Sequence, residues 1–192
     1  GLSYTKFEQK MGELEEKDGQ ISVDVEVTNT GDVAGKDVVE VYYKPPYTNG
    51  GIEKSSANLI EFAKTDLLQP GESQTVTVTF SIEDMASYDE NNAKAYVLEK
   101  GDYVISINSD SHTVLDQKTY TTDADVVYEG ENKRASDDIA ATNVFEDAKG
   151  DVTYLSRADH FANYEEVTAA PASTDAFTAP TSPRTITVTS PP

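Results

Sequence analysis

The sequence predicts an all-β fold, an antiparallel β-sandwich of the immunoglobulin-like type, followed by an extended and largely irregular C-terminal segment. Short runs alternate apolar and polar residues with the period of two that a half-buried strand requires, and clusters of Gly, Pro, Asn and Asp separate these runs. No stretch before Thr122 keeps an apolar period of 3.6 residues for three helical turns. About seven such strands over roughly 120 residues favour a sandwich over a helical or mixed fold.

The strands differ in how regularly they alternate. In 20–28, for example, every second residue from Ile21 to Val27 is apolar. The clearest strands in chain order are 20–28 (QISVDVEVT), 36–44 (KDVVEVYYK), 74–82 (QTVTVTFSI) and 101–109 (GDYVISINS), with 112–121 (HTVLDQKTYT) as the partner of the last across an NSDS turn. Weaker candidates are 3–9 (SYTKFEQ), 58–68 (NLIEFAKTDLL) and 94–99 (KAYVLE).

One motif, Gly31–Lys36 (GDVAGK), superficially resembles a phosphate-binding loop. Such a loop needs four residues between its glycines, a Ser or Thr after the lysine and a helix that follows. Here three residues separate Gly31 from Gly35, Asp37 follows Lys36, and the chain continues as a strand. We therefore interpret the motif as a connection between adjacent strands in which Asn29 and the two glycines take special backbone conformations.

Charge and composition exclude several classes of function. The 192 residues include 35 acidic and 15 basic side chains, a formal net charge of −20, which repels nucleic acids and anionic membrane surfaces. Cysteine is absent, so no disulfide framework and no thiol chemistry are expected, although secreted, cell-surface and cytoplasmic proteins can all lack it. No run approaches the roughly 18 apolar residues of a membrane span, and no signal peptide is visible.

The pattern predicts three regions along the chain. Residues 1–122 form the sandwich. In residues 123–167, called the connector below, scattered apolar residues lack steady periodicity, and we expect this segment to pack on the sandwich or on a neighbouring domain. Val126–Tyr128 could add a last strand there, and Val152–Leu155 a short extended element. Residues 168–192 are rich in Pro, Thr, Ser and Ala, as in a linker or tail, although RTITVTS near the end alternates like a strand.

Residue types that could carry catalysis or bind a metal do not form a recognisable pattern. Neither His112 nor His160 stands near a nucleophile motif or at the spacing of a zinc site. Adjacent carboxylates are numerous, but 35 acidic residues produce such pairs by chance. Calcium binding at SINSDS or YDENN is an alternative, although neither segment has the spaced oxygen ligands of an EF-hand loop. We predict no catalytic residue, no cofactor and no metal site in this chain.

A loop rich in Pro and Gly, Pro45–Ala57, is the strongest candidate for an interaction surface. Tyrosines flank it, and tyrosine rings often line surfaces that bind sugars, but such rings also pack loops onto neighbouring domains. The residues expected to contact a neighbouring domain or a sugar are Tyr42, Pro46, Tyr47, Asn49, Glu53 and Lys54.

Several blocks of the sequence, in order, resemble the fibronectin type III-like domain of glycoside hydrolase family 3 enzymes, notably β-glucosidases. They are GLSYTKFE, VTNTGDVAGKDVVEVYYKPPYTNGGIEK, LIEFAKTDLLQPGESQTVTVTF and MASYDE with YVLEKGDYVISI, which together cover about residues 1–111. In that family GLSYT lies where an α/β sandwich domain joins this module, so the resemblance implies that the catalytic part lies upstream of Gly1. A further block, TYLSRADHFANY, is similar to the connector of family members in which the module precedes the (β/α)-barrel domain.

The resemblance implies a non-catalytic structural module of a β-glucosidase that hydrolyses terminal β-D-glucosyl residues. Its partners would be the α/β sandwich and (β/α)-barrel domains of the same enzyme. Family motifs around the catalytic residues are absent, so no catalytic role is carried over and the chain alone is not expected to be an enzyme. The alternative is a carbohydrate-binding module that uses Tyr42 and Tyr47 to bind β-glucoside oligosaccharides. A cell-surface adhesion or spacer domain would fit the Thr- and Pro-rich tail but not the blocks.

Overall fold

The protein forms a β-sandwich, which confirms the all-β prediction. A computed structural model describes residues 3–170. The strands are β1 (Phe7–Lys17), β2 (Gln20–Asn29), β3 (Val38–Lys44), β4 (Asn58–Lys64), β5 (Ser73–Ser81), β6 (Ser87–Asp89), β7 (Ala95–Leu98), β8 (Gly101–Asn108), β9 (Val114–Thr122) and β10 (Val126–Tyr128). Short helical turns lie at Ile82–Met85 and Glu146–Ala148, and the helical segments α1 (Ala158–Phe161) and α2 (Tyr164–Thr168) follow.

Two antiparallel sheets make the two layers. One has the order β1-β2-β5 and the other β4-β3-β8-β9, and a small third sheet has the order β10-β7-β6. β8 and β9 form the predicted hairpin. Within residues 3–170 no helix is long and apolar enough to span a membrane.

The alternating apolar residues supply the core between the layers. Ile21, Val25 and Val27 of β2 are fully buried, as are Val39 and Val41 of β3 and Ile105 and Ile107 of β8. Tyr103 is also buried, and its hydroxyl donates to the Glu99 carbonyl at 2.9 Å, which satisfies the polar atom that burial removes from water. The period of two in the sequence therefore corresponds to one inward face per strand.

Side-chain contacts close one side of the sandwich. The Met11 backbone N–H in β1 donates to the Asp116 carboxylate in β9 at 3.1 Å, and the Lys118 ammonium contacts the Glu13 carboxylate at 2.6 Å. β1 is longer than the sequence predicted, because a bulge between Met11 and Leu14 breaks the alternation of its inward residues.

The Gly31–Lys36 segment crosses from one sheet to the other, so the prediction that it connects adjacent strands was wrong. β2 pairs with β1 and β5, whereas β3 pairs with β4 and β8. The expected special backbone conformation of the glycines was also wrong, since neither Gly31 nor Gly35 has a positive φ. Gly is needed for space instead, because a Cβ at Gly31 would overlap the Thr5 hydroxyl and lie 2.7 Å from the Lys6 backbone nitrogen. Lys36 points to solvent, and the segment has no phosphate-loop geometry.

The Asn29 side chain holds this crossover together from inside. It is fully buried, and all four of its hydrogen-bonding positions are used. Its amide oxygen accepts from the Thr5 hydroxyl at 2.7 Å and from the Gly31 N–H at 3.1 Å. Its amide nitrogen donates to the Val33 and Leu68 carbonyls, both at 2.9 Å. One side chain thus joins the N-terminal segment, the crossover and the segment before β5.

The connector begins as part of the fold and then runs along its surface. Val126–Tyr128, foreseen as a possible last strand, pairs with β7 as β10. Val152–Leu155, foreseen as an extended element, belongs to no strand. The predictions for the tail, including the strand-like RTITVTS, fall on residues 171–192 and lie outside the described residues.

Candidate functional site

The 45–57 loop is held in shape by a buried lysine. Lys54 is only 8% exposed. Its ammonium donates to the Pro46 carbonyl at 2.8 Å and forms an ion pair with the Glu99 carboxylate, which lies at the end of β7. Both the first and last parts of the loop are therefore fixed to the sandwich through one cation.

The loop binds the connector through Glu53 and Tyr47. The Glu53 carboxylate accepts from the Arg157 backbone N–H at 3.0 Å and from the Ser156 hydroxyl. The Arg157 guanidinium lies over the Tyr47 ring, 4.4 Å from its centroid, and donates to the Lys54 carbonyl at 3.2 Å. Since the cation covers one face of the Tyr47 ring, that face is not available for stacking on a sugar.

A second contact joins the tip of the loop to the connector. The Asn49 amide nitrogen donates to the Asp159 carboxylate at 2.7 Å. Asp159, His160 and Phe161 all have positive φ values of 50–61°, a left-handed turn within α1 that L-residues seldom adopt. This turn directs the chain around the loop tip, where His160 and Phe161 line a cleft of about 250 Å³ together with Tyr47.

Tyr42 lies apart from the other candidate residues, on the outer face of the four-stranded sheet. Its hydroxyl donates to the Glu40 carboxylate at 3.1 Å, and burial together with this carboxylate raises the pKa of Tyr42. The ring lines a cleft of about 300 Å³ with Ser106, Asn108 and Gln117. Asn108 is 3% exposed, and its side-chain oxygen has no hydrogen-bond partner among the described residues.

The structure therefore brings five of the six predicted residues together and separates the sixth. Pro46, Tyr47, Asn49, Glu53 and Lys54 share the loop, and Tyr42 lines the other cleft. The sequence analysis assigned no role to the residues that face the loop from the connector. These residues are Ser156, Arg157 and Asp159, and they all lie in the TYLSRADHFANY block, which was quoted only for its resemblance to the family.

The segments considered for calcium use their carboxylates to close turns. The Asp110 carboxylate in SINSDS accepts the backbone N–H groups of His112 and Thr113, and these bonds lower the pKa of Asp110. The Asp89 carboxylate in YDENN accepts three backbone N–H groups, from residues 91 to 93. Across residues 3–170 no group of three His, Cys, Asp or Glu side chains is arranged to hold a metal ion. His112 and His160 are both exposed.

The Asp89 turn makes stability depend on pH. Burial opposes the charged form, but the three backbone donors outweigh it and hold the pKa of Asp89 below its usual range. We expect Asp89→Asn to lower the free energy of unfolding by about 1–2 kcal/mol at pH 7, because a neutral amide oxygen accepts these bonds more weakly. Urea unfolding of the variant and the wild type at pH 7 and pH 3 measures this difference.

The sign of the pH effect follows from the direction of the shift. The contribution of Asp89 is complete above the pKa of the unfolded chain, about 3.9, and is lost as the pH falls through the lower folded pKa. The difference between the wild type and Asp89→Asn should therefore shrink below about pH 4. Asp32→Asn, at an exposed position, is the control, expected to stay within about 0.5 kcal/mol. An unchanged difference at low pH would contradict the assignment.

Comparisons with known proteins agree on one kind of domain. The family described as "Fibronectin type III-like domain" matches residues 37–111. A β-glucosidase from Ruminococcus albus is 38% identical over 133 residues, which cover 67% of this chain and 14% of that protein. The solved structure of β-glucosidase 3B from Thermotoga neapolitana in complex with α-D-glucose aligns with a TM-score of 0.60 at 33% identity, over 68% of this chain and 18% of that one.

The β-glucosidase of Kluyveromyces marxianus in complex with glucose gives a TM-score of 0.61 at 30% identity, over 67% of this chain and 15% of that one. The chain spans only about one seventh of the length of the curated relatives it matches. The match to these enzymes is thus confined to one β-sandwich domain, as the sequence blocks indicated. The chain belongs to the fibronectin type III-like domains of glycoside hydrolase family 3 β-glucosidases.

Proposed function

We propose that this chain is a non-catalytic module of a glycoside hydrolase family 3 β-glucosidase, and that the whole enzyme hydrolyses terminal β-D-glucosyl residues. The module supports the catalytic domains, which are an α/β sandwich upstream and a (β/α)-barrel downstream. The observation that carries the proposal is the extent of the match, since the relatives named above are β-glucosidases and the chain aligns with 14–18% of their length.

The geometry of the candidate loop supports a structural role. Its polar groups are used inside the chain: Glu53 and Asn49 bind the connector, and Lys54 binds Pro46 and Glu99. A loop whose hydrogen-bonding groups are satisfied by its own chain sets the path of that chain. The proposed order of domains, with the module before the barrel, agrees with a connector that is led away along the module surface.

Hydrolysis of an aryl β-glucoside tests the proposal. The 192-residue chain should release no aryl alcohol above the rate in buffer, whereas the intact enzyme that carries it should turn the substrate over. Turnover by the isolated chain that survives repurification would contradict a non-catalytic role. An intact enzyme that is inactive on β-glucosides but active on another glycoside would contradict the substrate.

A weak sugar-binding role is a second candidate, and one observation favours it. The Asn108 oxygen is nearly buried and lacks a partner among residues 3–170, and it lies in the Tyr42 cleft with Ser106 and Gln117. A sugar hydroxyl is a suitable donor for this oxygen. The alternative carbohydrate site is therefore placed at Tyr42 and not at Tyr47, whose ring is covered by Arg157.

Titration of the chain with cello-oligosaccharides, followed by amide chemical shifts, separates the two candidates. Binding that is lost in Asn108→Ala and kept in Tyr47→Ala would favour the sugar site in the Tyr42 cleft. A flat response would contradict sugar binding, and loss in Tyr47→Ala alone would move the site to the loop.

A further inference from the structure

The connector carries a dense set of large apolar side chains that face solvent. Three of them, Ile139, Val144 and Phe145, are 75–81% exposed. Of the 15 exposed large apolar residues between residues 3 and 170, eight lie between residues 139 and 164: Ile139, Val144, Phe145, Val152, Tyr154, Leu155, Phe161 and Tyr164. Scattered exposed apolar residues are ordinary, but a series of this density in a soluble domain indicates an interaction surface.

The same segment contacts the sandwich with its polar groups. A segment that merely covered the domain would bury its apolar side chains and expose its charges. Here Lys94 and Lys149 of opposite partners form ion pairs, and backbone groups bind side chains of β6 and its neighbours. The contacts are Arg134 over the Tyr96 ring at 3.7 Å, Ala135 N–H to Glu83 at 2.8 Å, Asn143 N–H to the Tyr88 hydroxyl at 2.8 Å, Lys94 to Glu146 at 2.5 Å and Lys149 to Glu90 at 3.2 Å.

An open cleft of about 490 Å³ adjoins this surface. Leu155 and Phe161 form its apolar wall on the connector side, and Ala57 and His112 lie on the sandwich side. The left-handed turn at residues 159–161 places Phe161 at the cleft. The cleft and the eight side chains together provide both a recess and apolar contacts for a partner.

We propose that the apolar side chains of residues 139–164 are the surface on which a catalytic domain of the same enzyme packs, which rests on the proposed function. Two facts select this occupant. The relatives are about seven times longer than the matched region, so most of each of those enzymes lies outside it. A second copy of this chain is opposed by repulsion, since each copy has a net charge of −20.

Hydrogen–deuterium exchange of the amides in residues 139–164 tests the proposal, because burial under a domain suppresses local opening. The amides should exchange at least about tenfold more slowly in the intact enzyme than in the 192-residue chain. A triple variant, Ile139→Ser with Val144→Ser and Phe145→Ser, should lose this protection in the intact enzyme. The control is Leu59→Ser with Phe62→Ser and Leu67→Ser, three residues of the sandwich that are 51–62% exposed, and it should retain the protection.

Each other outcome overturns the proposal. Equal exchange in the intact wild-type enzyme and the isolated chain would show that no domain covers the surface. Equal loss in the control would show that any exposed apolar residue has the same effect. Light scattering that shows a dimer of the isolated chain, broken by the triple serine variant, would assign the surface to a second copy. Hydrolysis of an aryl β-glucoside by the wild-type enzyme, measured in parallel, tests the proposed function separately, because exchange does not depend on substrate.

Discussion

Replacing Asn29 with alanine is expected to lower the free energy of unfolding by about 3–5 kcal/mol, the largest effect of any single polar side chain described above. The substitution leaves the Val33 and Leu68 carbonyls and the Gly31 N–H without their partner in a buried place. Each unsatisfied buried group costs about 1–3 kcal/mol, and partial entry of water limits the sum. Chemical denaturation followed by tyrosine fluorescence measures the change.

Asn91→Ala is the matched control for Asn29→Ala. Asn91 is exposed, and its substitution should change the free energy of unfolding by no more than about 0.5 kcal/mol. Asn29→Asp is informative as well, because a carboxylate keeps the acceptor for Thr5 and Gly31 but cannot donate to the two carbonyls. A loss of less than about 1 kcal/mol in Asn29→Ala would contradict the role given to this side chain.

The second large effect is expected at Glu53, where the loop binds the connector. Glu53→Ala removes the acceptor for the Arg157 N–H, the Ser156 hydroxyl and the Tyr47 hydroxyl. Losing these bonds to a carboxylate should favour local opening of the connector by about 1.5–3 kcal/mol, which corresponds to about a 10- to 100-fold larger open population. Trypsin should cleave after Arg157 faster by that factor in the 192-residue chain.

The global stability of Glu53→Ala should change much less, because the core does not include this loop contact. Glu131→Ala is the control, since Glu131 is an exposed carboxylate of the same connector outside this contact. Cleavage after Arg157 at the wild-type rate in Glu53→Ala would show that the connector is held by other contacts. The same acceleration in Glu131→Ala would show a general effect of lost charge.

The strands that alternate regularly could be predicted from the sequence, and β1 could not be predicted in full. In β2 every second residue is buried, so the pattern and the sheet agree along the whole strand. In β1 the inward position Gln9 is polar and donates to Asp37 and to the Val38 carbonyl, so it reads as a surface residue. The bulge after Met11 then moves the inward face by one residue, to Leu14.

The candidate site was predictable on only one of its two sides. Pro, Gly and Tyr residues mark the 45–57 loop locally, so the loop itself could be selected. Its partner cannot be found by local rules, because Arg157 lies 104 residues beyond Glu53. The family block around residue 157 was the only signal for it. The glycines at 31 and 35 illustrate the same limit, since Gly suggests a turn, while the cause here is the approach of Thr5 and Phe7 from elsewhere in the chain.

The contact between Met11 in β1 and Asp116 in β9 has a consequence for the growing polypeptide. The two residues are 105 positions apart, and a ribosome adding about 5–20 residues per second needs about 5–20 s to pass from one to the other. During that interval the outer edge of β1 has no neighbour. Its exposed positions carry Glu8, Lys10, Glu13, Glu15 and Lys17. Charged side chains on an unpaired edge oppose the addition of a foreign strand, so these residues protect the nascent chain before they serve the finished fold.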